Sequence, residues 1–164
     1  MRPLVNPTLQ HAIALRQAGD YAASRDLLTT LLPDPALAPA AHLHIAWAYD
    51  NQGLEAEAVP HYEQALQGTL PASDRLDALL GLASTLRSLG RYHEALPRFE
   101  QGIAEFPDTQ ALKPFYAMCL YNVGRHKEAV ALLLQLLAET SQDDDIRTYQ
   151  RAIALYAADL DRVW

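Results

Sequence analysis

The sequence predicts an all-α fold, a solenoid of four helix-turn-helix repeats closed by a C-terminal helix, and three observations predict it. First, Gly19, Gly53, Gly90 and Gly124 are spaced by 34, 37 and 34 residues, each between two stretches of helical periodicity. Second, small residues recur in register with those glycines. Seven residues earlier stand Ala12, Ala46, Ala83 and Ala117, and five residues later Ser24, Ala58, Ala95 and Ala129. Small side chains are needed where two helices cross closely. Third, large apolar residues hold two further columns, Leu15, Tyr49, Leu86 and Leu120 four before the glycine, and Leu28, Tyr62, Phe99 and Leu133 nine after it. These would fill the space between the helices, so independent columns agree on one register.

The chain reads as a single domain over residues 1–164, with repeats at about 5–38, 39–74, 75–108 and 109–141. The opening residues Met1-Arg2-Pro3-Leu4-Val5-Asn6-Pro7 lack the apolar core and small-residue cleavage site of a secretory signal, which predicts a cytoplasmic location. Within repeats two and three, Pro60 and Pro97 fall seven residues after their glycines, which predicts a place near the first turn of the second helix, where a missing N–H costs least. The longer spacing between Gly53 and Gly90 places three extra residues around Gly68 to Asp74; Gly68, Pro71 and Ser73 supply turn chemistry, so a loop is expected there. Asp143, Asp144 and Asp145 offer N-caps and favourable dipole charge for a last helix over 143–163. Its stripe of Ile146, Tyr149, Ile153, Tyr156 and Leu160 is expected to close the end of the stack.

The segments G-D-Y-A-A-S at Gly19, G-L-E-A-E-A at Gly53, G-R-Y-H-E-A at Gly90 and G-R-H-K-E-A at Gly124 resemble the turn and second-helix start of tetratricopeptide repeats. The resemblance covers about residues 5 to 140 and is to compact, bacterial-type members. Two features depart from the family pattern. The usual aromatic near the start of the first helix is replaced by Thr8, His42, Leu79 and Lys113, and the closing proline is clear only at Pro107.

The resemblance implies a right-handed solenoid whose first helices line a concave groove. It implies that residues two, three, six and ten before each glycine face that groove. They are Gln17, Arg16, Ile13 and Leu9; Asn51, Asp50, Trp47 and Leu43; Ser88, Arg87, Ser84 and Leu80; and Asn122, Tyr121, Met118 and Pro114. The implied function is a protein-interaction scaffold that binds a protein or peptide. Asn51 and Asn122 would hydrogen-bond an extended backbone, and Trp47, Leu43, Met118 and Tyr121 would bury its side chains. The alternative is that Trp47 and Tyr121 only pack between adjacent repeats. Chaperone-binding members hold a partner's C-terminal carboxylate with a lysine, asparagine and arginine set. The matching positions here are Leu9, Ile13, His44, Asp77 and Gly81, so a peptide ending in an acidic motif is not the expected ligand.

Composition excludes other classes. The net charge of −7, from 20 acidic and 13 basic side chains with no basic run, leaves no phosphate-neutralising patch, so no nucleic-acid partner is expected. No apolar stretch approaches the roughly 18 to 20 residues of a membrane span, since Gln135 breaks even Ala129 to Ala138. Cys119 is a lone cysteine and reads as a packed apolar residue. Of the histidines His11, His42, His44, His61, His93 and His126, only His42 and His44 are close, and a separation of two points them to different helix faces. Neither a metal nor a cofactor is expected, and no catalytic motif is present. Two other readings stand beside the scaffold: a homodimer built on Tyr149, Tyr156 and Trp164, and an enzyme whose site assembles only in three dimensions.

Overall fold

The four repeat glycines adopt positive φ, +85° at Gly19, +70° at Gly53, +74° at Gly90 and +84° at Gly124, and no other described residue does. In each turn two N–H groups fold back on the preceding helix. Gly19 N–H donates to the Arg16 carbonyl at 3.0 Å and Asp20 N–H to the Leu15 carbonyl at 2.9 Å; Gly53 and Leu54, Gly90 and Arg91, and Gly124 and Arg125 repeat that pair. This is the Schellman arrangement, which needs a left-handed residue that only glycine adopts without steric cost. The 34-residue period is therefore a period of one backbone turn.

The computed structural model describes residues 6–164, so the opening stretch Met1 to Val5, read above for a signal, lies outside the described residues. All regular secondary structure among the described residues is helical: α1 Pro7–Gln17, α2 Tyr21–Thr29, α3 Ala38–Asn51, α4 Glu55–Gln67, α5 Ala72–Ser88, α6 Tyr92–Glu105, α7 Leu112–Asn122, α8 His126–Thr140, α9 Asp144–Thr148 and α10 Gln150–Ala158. The chain forms two compact units, one ending at Arg91 and one running from Tyr92 to Trp164.

In the first unit, the small columns meet as their spacing predicts. Ala12, Ala46, Ala83, Ser24 and Ala58 are all fully buried, and the Ser24 hydroxyl donates to the Ala12 carbonyl at 2.7 Å, closing α2 onto α1. The apolar columns fill the remaining volume. Leu28, Leu31, Ala12, Ala41 and Ile45 form one cluster, with Leu9, Leu27, Leu32, Leu37 and Tyr49 packed around it. Tyr62 on α4 is 1% exposed and lies over Gly81 of α5, where a Cβ would come within 2.6 Å of the ring. Glycine inside a helix costs about 1 kcal/mol relative to alanine. At Gly81 the cost makes room for a buried aromatic ring. Gly81→Ala is accordingly expected to destabilise the unit by about 1 to 3 kcal/mol despite its better helix propensity, read as a lowered urea midpoint.

In the second unit, Ala117, Leu120 and Ala129 form a cluster covered by Leu96, Tyr116 and Leu132. Phe99 is fully buried with its ring 6.2 Å from Tyr116, and Gly102 gives Leu112 its space. Cys119 is buried with its thiol 3.7 Å from the Tyr92 carbonyl, as a packed residue would be.

Four local features differ from the sequence reading. The three residues inserted before Gly90 lengthen a helix instead of a loop: only Gly68 to Pro71 separate α4 from α5, and α5 is 17 residues long. Pro71, extended at φ −53° and ψ 150°, stops the preceding chain and lets α5 begin at Ala72. Pro60 and Pro97 sit in the second turn, not the first, because α4 starts at Glu55 and α6 at Tyr92. Their missing N–H groups release the carbonyls of Ala56 and His93, and both residues are exposed, where solvent can satisfy a freed carbonyl.

The single last helix expected over 143–163 is two helices. Asp143 caps α9 as predicted, accepting from the N–H groups of Asp145 and Ile146 at 3.0 and 3.1 Å. The chain then breaks at Tyr149, and it leaves α10 at Asp159, which is extended and accepts from Asp161 N–H and the Lys127 ammonium. The predicted closing stripe is therefore incomplete. Ala157 is buried and Ile146 and Ile153 partly so, while Tyr149, Tyr156 and Leu160 are exposed. Leu133, expected between helices, is 44% exposed, because α10, nine residues long, covers only part of α8.

Candidate functional site

The repeat geometry separates two faces of each first helix. The alanine seven before the glycine is at most 1% exposed in α1, α3, α5 and α7. Every residue two, three or six before it keeps some exposure to solvent: Gln17, Arg16 and Ile13 on α1; Asn51, Asp50 and Trp47 on α3; Ser88, Arg87 and Ser84 on α5; Asn122, Tyr121 and Met118 on α7. A face carrying Trp, Met, Tyr and amide side chains outside the core can contact a partner without unfolding the repeat. The position ten before is less uniform. Leu9, Leu80 and Pro114 are partly buried, but Leu43 is 1% exposed and belongs to the core, which corrects its assignment as a groove contact.

In the first unit this face is internally bonded. The Arg16 guanidinium lies 5.3 Å from the Trp47 ring centroid, and its Nη1 reaches the Asn51 side-chain oxygen at 3.4 Å. His44 meets Trp47 edge-on at 4.9 Å. Burial, reinforced by the Arg16 charge, lowers the His44 pKa to about 4, so this ring is neutral. Asp50 is directed inward: the Tyr62 hydroxyl donates to its carboxylate, and the Thr85 hydroxyl lies 3.2 Å away. Burial raises the Asp50 pKa, against the two hydrogen bonds that lower it, and the Glu55 charge raises it further. Asp50 thus ties α3 to α4 and α5, and Asn51, Trp47 and Arg16 are the groups left facing outward.

In the second unit Met118 and Tyr121 are 44% and 61% exposed. The Tyr121 ring is 4.9 Å from that of His126, whose Nε2 lies 3.1 Å from the Tyr121 carbonyl, so its orientation is held from below. Elsewhere in this unit, Tyr149, Tyr156 and Trp164 are 65%, 54% and 69% exposed, and Val130, Leu133 and Leu137 add an apolar stripe at three- and four-residue spacing along α8.

One pairing escaped the sequence reading. His42 of α3 and His61 of α4 bring their Nδ1 atoms within 2.9 Å, with ring centroids 5.2 Å apart, and His61 stacks on Tyr49. That centroid distance suits two rings meeting head-on, so one Nδ1–H donates to the other ring's lone pair. Burial lowers both pKa values, and the His42 charge adds to the effect at His61. The signal was present in the repeat register, since the two residues stand eleven before and eight after Gly53. Among the described residues no three His, Cys, Asp or Glu side chains converge to hold a metal ion, and no helix is long and apolar enough to cross a membrane.

The family pattern described as Tetratrico peptide repeat matches residues 39–160. The Vi polysaccharide export protein VexE of Salmonella typhi is 28% identical over 117 residues, which cover 70% of this chain and 17% of that protein. A crystal structure of a Podosopora anserina protein of kinesin light chain type, with nearly identical TPR-like repeats, superposes with a TM-score of 0.65 at 23% identity, covering 92% of this chain and 83% of that one. A variant of the same protein superposes with a TM-score of 0.66, again at 23% identity, covering 92% of this chain and 82% of that one.

Proposed function

The chain belongs to the tetratricopeptide-repeat family, a family of protein-interaction scaffolds, and on that premise we propose that it is a non-catalytic cytoplasmic module binding a peptide or protein partner on its first-helix faces. One observation carries the reading. All twelve residues two, three and six before the repeat glycines keep some exposure to solvent, while the alanines seven before them are buried. Trp47 and Tyr121 supply apolar contact, Asn51 and Asn122 supply backbone hydrogen bonds, and Ile13, Gln17, Leu9, Leu80, Ser84 and Arg87 complete the faces. Asp50 and Leu43 support them from within. The likeness to the polysaccharide-export protein spans 17% of its length, so nothing of its activity is carried over.

The test is selection of blocked ten-residue peptides from a random library on the immobilised chain. Retained peptides are expected to bind with micromolar affinity and to lose about tenfold or more when Trp47→Ala or Asn122→Ala replaces the wild type. Failure of every peptide to be retained above bare resin contradicts the reading.

The exposed Tyr149, Tyr156 and Trp164, beside the apolar stripe of α8, favour a second reading, self-association through the C-terminal helices. Light scattering separates the two. A stable dimer that becomes a monomer on deletion of residues 145–164 establishes it, and a monomeric intact chain removes it.

A further inference from the structure

Arg16 is out of balance with its surroundings. In a chain of net charge −7, it makes no ion pair among the described residues, and its hydrogen bonding to them amounts to one long contact, Nη1 to Asn51 at 3.4 Å. Its Nε is buried with no acceptor. Asp50, the nearest carboxylate in sequence to Asn51, is turned to Tyr62 and Thr85 and does not neutralise it. His44, which burial, reinforced by the Arg16 charge, holds neutral, likewise has a buried Nδ1 without a partner. A guanidinium has five donors in a planar fork that matches a carboxylate, and a buried donor without an acceptor costs on the order of 1 to 3 kcal/mol. The Arg16 guanidinium lies over the Trp47 ring, 5.3 Å from its centroid, and Asn51 is an exposed residue whose side-chain oxygen accepts from Arg16, which leaves its NH2 for a partner.

Resting on the groove reading above, we propose that this corner recognises one acidic side chain within an extended partner peptide. The carboxylate takes the Arg16 guanidinium, the adjacent peptide carbonyl takes the Asn51 NH2, and a neighbouring apolar side chain lies on Trp47. The charge balance selects a single negative charge. One arginine in an acidic chain matches a carboxylate, whereas a phosphate group of nearly two charges calls for several cations.

The same library tests this, with peptides amidated at the C-terminus so that only side chains supply carboxylates. On the wild-type chain, retained sequences are expected to hold Asp or Glu at one fixed position at several times the library frequency. A selected peptide loses about tenfold or more in affinity when that residue becomes Gln, and it weakens as sodium chloride rises from 50 to 500 mM. Arg16→Gln, checked for an unchanged unfolding midpoint, is expected to lose both the affinity and the acidic preference, and Arg16→Lys to recover part of them. The Glu-to-Gln change in the peptide gives the same answer if Arg16→Gln misfolds. Retained peptides without an acidic position, or an unaltered preference with Arg16→Gln, overturn the proposal while leaving the groove reading intact. Acidic preference that appears only in a parallel library with free C-termini assigns the site to a chain end and overturns it equally. If nothing is retained, the groove reading itself fails.

Discussion

Tyr62→Ala is expected to lower the unfolding free energy by about 3 to 5 kcal/mol, a large share of the roughly 5 to 15 kcal/mol typical of a domain. Two losses add. The ring is 1% exposed and fills the space over Gly81, so its removal leaves a cavity bounded by a residue with no side chain to collapse into it. The hydroxyl donates to Asp50, and without it a half-buried carboxylate keeps Thr85 as its side-chain donor. Tyr62→Phe separates the terms. It retains the ring and should cost about 1 to 3 kcal/mol, the price of an under-bonded buried carboxylate. Urea unfolding of the three proteins measures both. Equal losses for Ala and Phe would show that packing over Gly81 contributes little.

Acidification is expected to destabilise the first unit through its histidines. Burial holds His44 at a folded pKa of about 4, below its unfolded value, and lowers His42 and His61 in the same direction. A depressed folded pKa means that the unfolded chain binds more protons below pH 6.5. The stability is then fully present above that pH and is lost as pH falls toward the folded value. For His44 the loss between pH 7.5 and pH 5 is about 2 kcal/mol. Doubly protonating the His42–His61 pair would also replace its hydrogen bond with repulsion between α3 and α4. Asp50 acts in the opposite sense: its raised folded pKa favours the native state as pH falls through the carboxylate range, which softens the loss at the acid end. Urea titrations at the two pH values should show the drop, and His44→Leu should flatten it. An unchanged slope in His44→Leu would contradict the assignment to that ring.

The register of the fold was legible because four constraints repeat on one period. The turn demands glycine, the crossing demands Ala or Ser, and two apolar columns fill the gap; the structure gives Gly19, Ala46, Ala58 and Phe99 those environments. Helix ends were less legible, since Pro60 and Pro97 are tolerated in a second turn wherever the freed carbonyl meets water. The C-terminal region was legible only in its cap. Asp143 starts a helix as its side chain dictates, but the break at Tyr149 and the end at Ala158, beyond which Lys127 pairs with Asp159 and Asp161, carry no comparable local signal. Side-chain pairings between helices were hidden for the same reason. Arg16 meets Trp47 because they stand three before one glycine and six before the next, an offset visible only once neighbouring first helices are laid side by side.

The most direct test of the interaction face is nuclear magnetic resonance of the isotopically labelled chain titrated with one selected peptide. Shifts concentrated at Arg16, Trp47 and Asn51 in the first unit, or at Met118, Tyr121 and Asn122 in the second, are the predicted result. Shifts confined to Val130, Leu133, Tyr149 and Tyr156, with the first-helix faces silent, would contradict the account and transfer recognition to the C-terminal helices.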